Sequence, residues 1–104
     1  MTMLGPVLKT NYSINADGEL IAAPGAGKAI RVHAWVGFSA ANSITLESST
    51  TAKAGPFTLT AAPGGLVSFM PDGWFDCGEN EALNADITGT DLNTGSIVYS
   101  IVKV

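Results

Sequence analysis

Positive charge is missing from almost half of this chain. Between Ala54 and Val102 there is no Lys, Arg or His, while Asp72, Asp76, Glu79, Glu81, Asp86 and Asp91 all fall there. An acidic stretch of that length repels a phosphate backbone, which argues against nucleic acid as a partner. Cysteine is almost absent too. Cys77 stands alone, so no intramolecular disulfide and no cysteine-based metal site is expected, and a single free thiol fits a reducing compartment. One histidine, His33, with that one cysteine supplies too few ligands for a zinc-type centre. No apolar run approaches the roughly 18 residues of a membrane span. The opening "MTMLGPVLKT" lacks a basic region leading into a long apolar stretch, so neither membrane insertion nor secretion is expected.

What is present is apolar and nearly neutral. Hydrophobic residues make up 46% of the 104 and charged residues 13%, a balance that excludes disorder and suits a single domain with a modest core. So little charge implies either a neutral Ser/Thr/Asn surface or a surface covered by a partner. The net charge of −4 is uneven, since Lys9, Lys28, Arg31 and Lys53 lie in the first 53 residues against Asp17, Glu19 and Glu47. That asymmetry serves solubility, or a head-to-tail contact between unlike faces.

Period-two alternation broken by Gly, Pro, Asn and Asp runs through the chain and predicts strands. "PVLKTNYSI" (6–14) and "ELIAA" (19–23) flank Asp17-Gly18, which reads as a hairpin turn. In "KAIRVHAWVGFS" (28–39) the alternation places Ile30, Val32, Ala34, Val36 and Phe38 on one face and Ala29, Arg31, His33, Trp35 and Gly37 on the other. Further strands are expected at 42–49, 56–61, 65–70, 81–90 and 96–104. About eight strands near ten-residue spacing, with no helical period, predict an all-β, antiparallel, jelly-roll-like sandwich. Strand order is not readable from period and turns. "AAPG" occurs at 22–25 and again at 61–64, which is one turn chemistry used twice or the trace of a duplicated half.

Candidate chemistry thins out on inspection. "AAPGAGKAIRV" (22–32) looks like a phosphate loop, but Ala22 stands where the motif needs Gly and Ala29 where it needs Ser or Thr. It also opens a strand, where nucleotide binding needs a helix N-terminus. His33 has no Gly-x-Ser-x-Gly partner for nucleophilic catalysis. The acidic segment "PDGWFDCGENEALNAD" lacks the order of a hand-type calcium loop, leaving a solvated loop or a structural Ca²⁺. The chain is therefore expected to be non-enzymatic, with no catalytic, cofactor or metal residues. Contact residues are a better prospect. Trp74 and Phe75 follow the Pro71-Asp72-Gly73 turn, where one is expected to plug the sandwich end and the other to touch a neighbour. Trp35, on its strand's polar face, is a candidate for contact or sugar stacking. In "SIVYSIVKV" both alternate sets are apolar (Ile97, Tyr99, Ile101 against Val98, Val102, Val104), so an extra segment or another subunit must cover the second face.

"APGAGKAIRVHAWVGFSAANSITLESSTTAKAGPFTLTAAPGGLVSF", "GWFDCGENEALNADIT" and the closing "SIVYSIV" together resemble small structural proteins of tailed bacteriophages, over residues 20–104. The resemblance implies a capsid decoration (cement) protein, a virion component made in the host cytoplasm and seated on the capsid surface. Its partners would be the major capsid protein and further copies of itself, commonly as trimers, with neither nucleic acid nor membrane involved. It implies no active site and no cofactor. Residues 1–10, with Met3 and Leu4, are then an N-terminal arm ahead of a sandwich at 11–104, or else "PVLKTNYSI" is the sandwich's own first strand. The interface set is Met3, Leu4, Trp35, Trp74, Phe75 and Tyr99. The alternative is a tail or fibre-tip module that recognises host glycans through Trp35, Trp74 and the nearby carboxylates.

Overall fold

β-Branched and aromatic residues at alternate positions favour extended backbone, and the chain uses little else. The computed structural model describes residues 5–39, 41–60 and 64–104, with no helix among them. The strands are β1 (Leu8–Ile14), β2 (Gly18–Ile21), β3 (Lys28–Ser39), β4 (Ala41–Ser48), β5 (Thr51–Thr60), β6 (Gly65–Val67), β7 (Phe75–Asp76), β8 (Leu83–Thr88) and β9 (Asn93–Lys103). Two antiparallel sheets pack face to face as a β-sandwich. Sheet A runs β1-β9-β3-β6, with β7 also on β3, and sheet B runs β2-β8-β4-β5.

The pairing is nested. β1 meets β9, β2 meets β8, β3 meets β6 and β7, and β4 meets β5, as in one long hairpin. Rolling that hairpin brings β9 onto β3 and β8 onto β4. Asp17-Gly18 therefore does not close a hairpin. It carries the chain from sheet A to sheet B, and the Asp17 carboxylate accepts the Ile87 amide at 2.7 Å. β1 starts at Leu8, so residues 8–10 of the stretch read as an arm are paired with β9. Met3 and Leu4, and residues 61–63 of the second "AAPG", lie outside the described residues.

Most of the predicted alternation is observed. Ile44 and Leu46 face inward while Thr45 and Glu47 do not, and Leu83, Ala85 and Ile87 are buried with Asp86 in water. β3 departs from it. Val32 pairs with Tyr99 and Ala34 with Val98, which leaves His33 as one extra residue, a β-bulge. Such a slip exchanges the two faces of everything beyond it. Ile30 and Val32 point into the core as expected. After the bulge it is Trp35 (2% exposed) and Gly37 that point inward, while Ala34, Val36 and Phe38 turn outward. The expectation that Trp35 lies on a polar, contact-making face is thus corrected.

The inward Trp35 needs space, and glycine provides it. Tyr12, Gly95, Gly37 and Gly65 are successive partners across sheet A. The indole lies along this row and donates its N–H to the Tyr12 hydroxyl at 2.9 Å. A Cβ on Gly65 would sit 2.5 Å from the ring and one on Gly37 2.4 Å from it.

Candidate functional site

The phosphate-loop look-alike does hold anionic oxygen, but from its own chain. Between β2 and β3 the Gly27 amide donates to the Glu79 carboxylate at 2.8 Å, and the Gly25 amide to the Asn80 side-chain oxygen at 2.9 Å. The Asn80 amide donates back to the Lys28 carbonyl at 2.8 Å. Other acids of the 72–86 segment are similarly engaged. Asp76 takes a two-pronged contact from Arg31 at 2.8 and 3.2 Å, and Glu81 accepts from the Ser48 hydroxyl at 2.6 Å. Among the described residues no three His, Cys, Asp or Glu side chains gather as a metal site. Cys77 is buried, and burial pushes its thiol up to about 11, so it is a weak nucleophile at neutral pH.

His33 has a partner that the sequence did not reveal. Its Nδ1 lies 2.8 Å from the Met70 carbonyl, which can only accept, so Nδ1 carries the proton. With the proton on Nδ1, Nε2 accepts a hydrogen bond from the Ser100 hydroxyl at 2.7 Å. A serine beside such a tautomer is the arrangement of nucleophilic catalysis, yet Ser100 is fully buried and His33 is 2% exposed beneath the stacked ring of Phe69. The pair instead fastens segment 68–74 over the bulge. The Met70 amide returns to the His33 carbonyl at 2.9 Å and the Trp74 amide to the Val32 carbonyl at 2.7 Å. In the sequence Ser100 is visible only as the polar break in an apolar strand.

The aromatic pair of that segment closes the sandwich. Trp74 stacks against Trp35 of β3 and lies at a tilt to Phe57 of β5, with centroids 6.4 and 6.0 Å away, and meets Phe75 edge-on at 5.2 Å. Trp74 and Phe75 are both half-buried against the core, so each fills the gap between the sheets. Tyr99 also packs inward, half-buried.

The surface that stands out is the outer face of sheet A, the side the bulge exchanges. Val36 and its neighbour Leu66, with Ala34 and Val98, floor a shallow groove of about 350 Å³ that Phe69 borders on one side and Lys9 on another. Phe38 continues the patch along β3, and Met70 lies beside it in segment 68–74. Phe38, Leu66, Phe69 and Met70 are 47, 73, 51 and 40% exposed. The outer face of sheet B is the opposite in character. Glu19, Glu47 and Asn84 align across it with Asp17 and Asp86 adjacent. Asp17 raises the carboxyl of Asp86 above its ordinary range through its charge and a shared hydrogen bond. Burial, then Asp86 and Asp17, raise that of Glu47. Compared with protein families, with curated proteins and with solved structures, the chain matches none.

Proposed function

We propose that this chain is a non-enzymatic structural protein of a tailed-phage virion: a decoration (cement) protein that binds the assembled head and stabilises it. The observation that carries the reading is the outer face of sheet A. An apolar patch of this kind on a small fold is often a functional contact surface, and among the described residues it adjoins no cleft lined with reactive groups that substrate could reach. The nested strand order supports a jelly roll, an architecture used by viral capsid proteins. Phage origin and the major capsid protein as partner rest on the resemblance of residues 20–104 to small phage structural proteins.

The alternative, a fibre tip stacking sugars on aromatic rings, is less well supported. Trp35 is buried and Trp74 is packed against Trp35 and Phe57. The test is to mix the purified protein with expanded, DNA-filled heads lacking it, pellet them, and follow DNA release on heating. Decoration predicts saturable co-pelleting and release at a higher temperature. Labelling confined to the tail tip in electron micrographs, or binding to a glycan array that Trp74→Ala abolishes, would refute it.

A further inference from the structure

The geometry points to the outer face of sheet A as an interface between two copies of this chain, packed sheet against sheet about a twofold axis that runs along the strands. The inference rests on the reading above only in taking this to be an assembly protein. The first argument is area. With Phe38, Leu66, Phe69 and Met70 exposed by 47, 73, 51 and 40%, and roughly 200 Å² for a large side chain, about 400 Å² of apolar surface faces water. Half-buried Ala34, Val36 and Val98 add to it. One side of a standard interface covers about 800 Å², of which somewhat over half is apolar. The patch therefore supplies the apolar content that one half of a stable pair requires.

The second argument is charge. The patch is uncharged at its centre, with Lys9 at one edge and, at the other, Asp72 beside the Arg31–Asp76 ion pair, which leaves that edge net negative. Lys9 lies on edge strand β1, level with Val98 and Ala34 in the register. Asp72 is exposed in segment 68–74, on the β6–β7 side of β3, near the bulge that follows Val32. An axis along the strands lays β1 of one copy over the β6–β7 edge of the other, so each Lys9 approaches the Asp72 of the second copy, twice per pair. An axis across the strands would set Lys9 against Lys9. A self-complementary face closes under a twofold, whereas a ring of three needs two unlike patches. This departs from the trimers that the resemblance implies.

Sedimentation equilibrium of the intact protein tests it, over concentrations from about 1 to 200 µM. The expected result is a reversible species of twice the 10.6 kDa chain mass. Leu66→Glu replaces the most exposed apolar side chain of the patch with a charge and should raise the dissociation constant by at least ~100-fold. Because Leu66 is exposed, the variant should melt with the parent at concentrations where both are monomers and below it only where the parent pairs, which separates lost pairing from lost folding. Lys9→Asp should weaken pairing by roughly 5-fold, and the double exchange Lys9→Asp with Asp72→Lys should restore it. A monomer throughout, a mass unaffected by Leu66→Glu, or a double exchange that restores nothing would each overturn the proposal. Pelleting with phage heads is scored separately. Protein that pairs but never pellets keeps this interface and loses the decoration reading, and protein that pellets as a monomer does the reverse.

Discussion

The Trp35 indole is placed by what its neighbours lack. It lies over Gly37 and Gly65, and its N–H reaches a hydroxyl that Gly95 leaves room for. Adding a methyl group to a filled core costs about 1–3 kcal/mol, so Gly37→Ala and Gly65→Ala should lower unfolding free energy by that much in urea titrations. Gly18→Ala is the control. Its Cβ would meet only a carbonyl oxygen at 3.9 Å, and its effect should stay within about 0.5 kcal/mol. Equal losses at all three positions would mean that the row is not a fitted cradle. Cys77 provides a second test at this scale. A thiol held near 11 by burial should ignore an aromatic disulfide reagent at pH 8 in native protein and react completely in denaturant. Fast native labelling would show that the core around it opens.

At the scale of elements, the most legible features are those set by adjacent residues. Strand positions, the inward sets of β4 and β8, and the turns at Pro and Gly follow from local alternation and backbone chemistry. The bulge at His33 does not, because nothing within β3 distinguishes it. It is held by Met70 and Ser100, 37 and 67 residues away, and it reverses the facing of Trp35 and Phe38. Alternation alone therefore groups Val36 and Phe38 with the inward Ile30 and Val32, and sets the buried Trp35 on the polar face. Turn 24–28 shows the same division. Its Gly and Pro content is local information, but its fastening by Glu79 and Asn80 is not. Glu79→Ala should remove one hydrogen bond, about 0.5–1.5 kcal/mol at most for so exposed a site, and speed amide exchange at Gly27. Glu79→Gln, which keeps an acceptor oxygen, should recover most of the protection. If both variants exchange alike, the acceptor does not hold the turn. Asn80 contributes besides as a left-handed residue at φ 52°, a conformation Asn tolerates better than most residues.

For the whole molecule, the sandwich separates an apolar face from an acidic one, and this division follows from topology more than from chain order. Asp17 and Glu19 of the first quarter meet Glu47 and Asp86 only because β2, β8 and β4 are neighbours, so the charge count along the chain could not locate the cluster. Its carboxylates repel one another in the folded state, and the repulsion is weaker in an expanded chain. A carboxyl raised on folding binds its proton to higher pH in the native state than in the unfolded one. In the window between the ordinary value and the raised one the native state carries more protons, and stability falls as pH rises through it. Asp86 and Glu47 are both raised, so this face contributes most stability below the ordinary carboxyl range and loses it on the way to neutrality. Asp86→Asn removes one of the crowded charges at every pH. Its melting temperature should exceed the parent's at pH 7 in low salt, and the gap should close as pH falls to about 4 or as salt rises to about 0.5 M, where the screening length is only a few ångströms. A gap that persists through both titrations would show that the gain comes from packing or backbone, and that the acidic face carries no net strain.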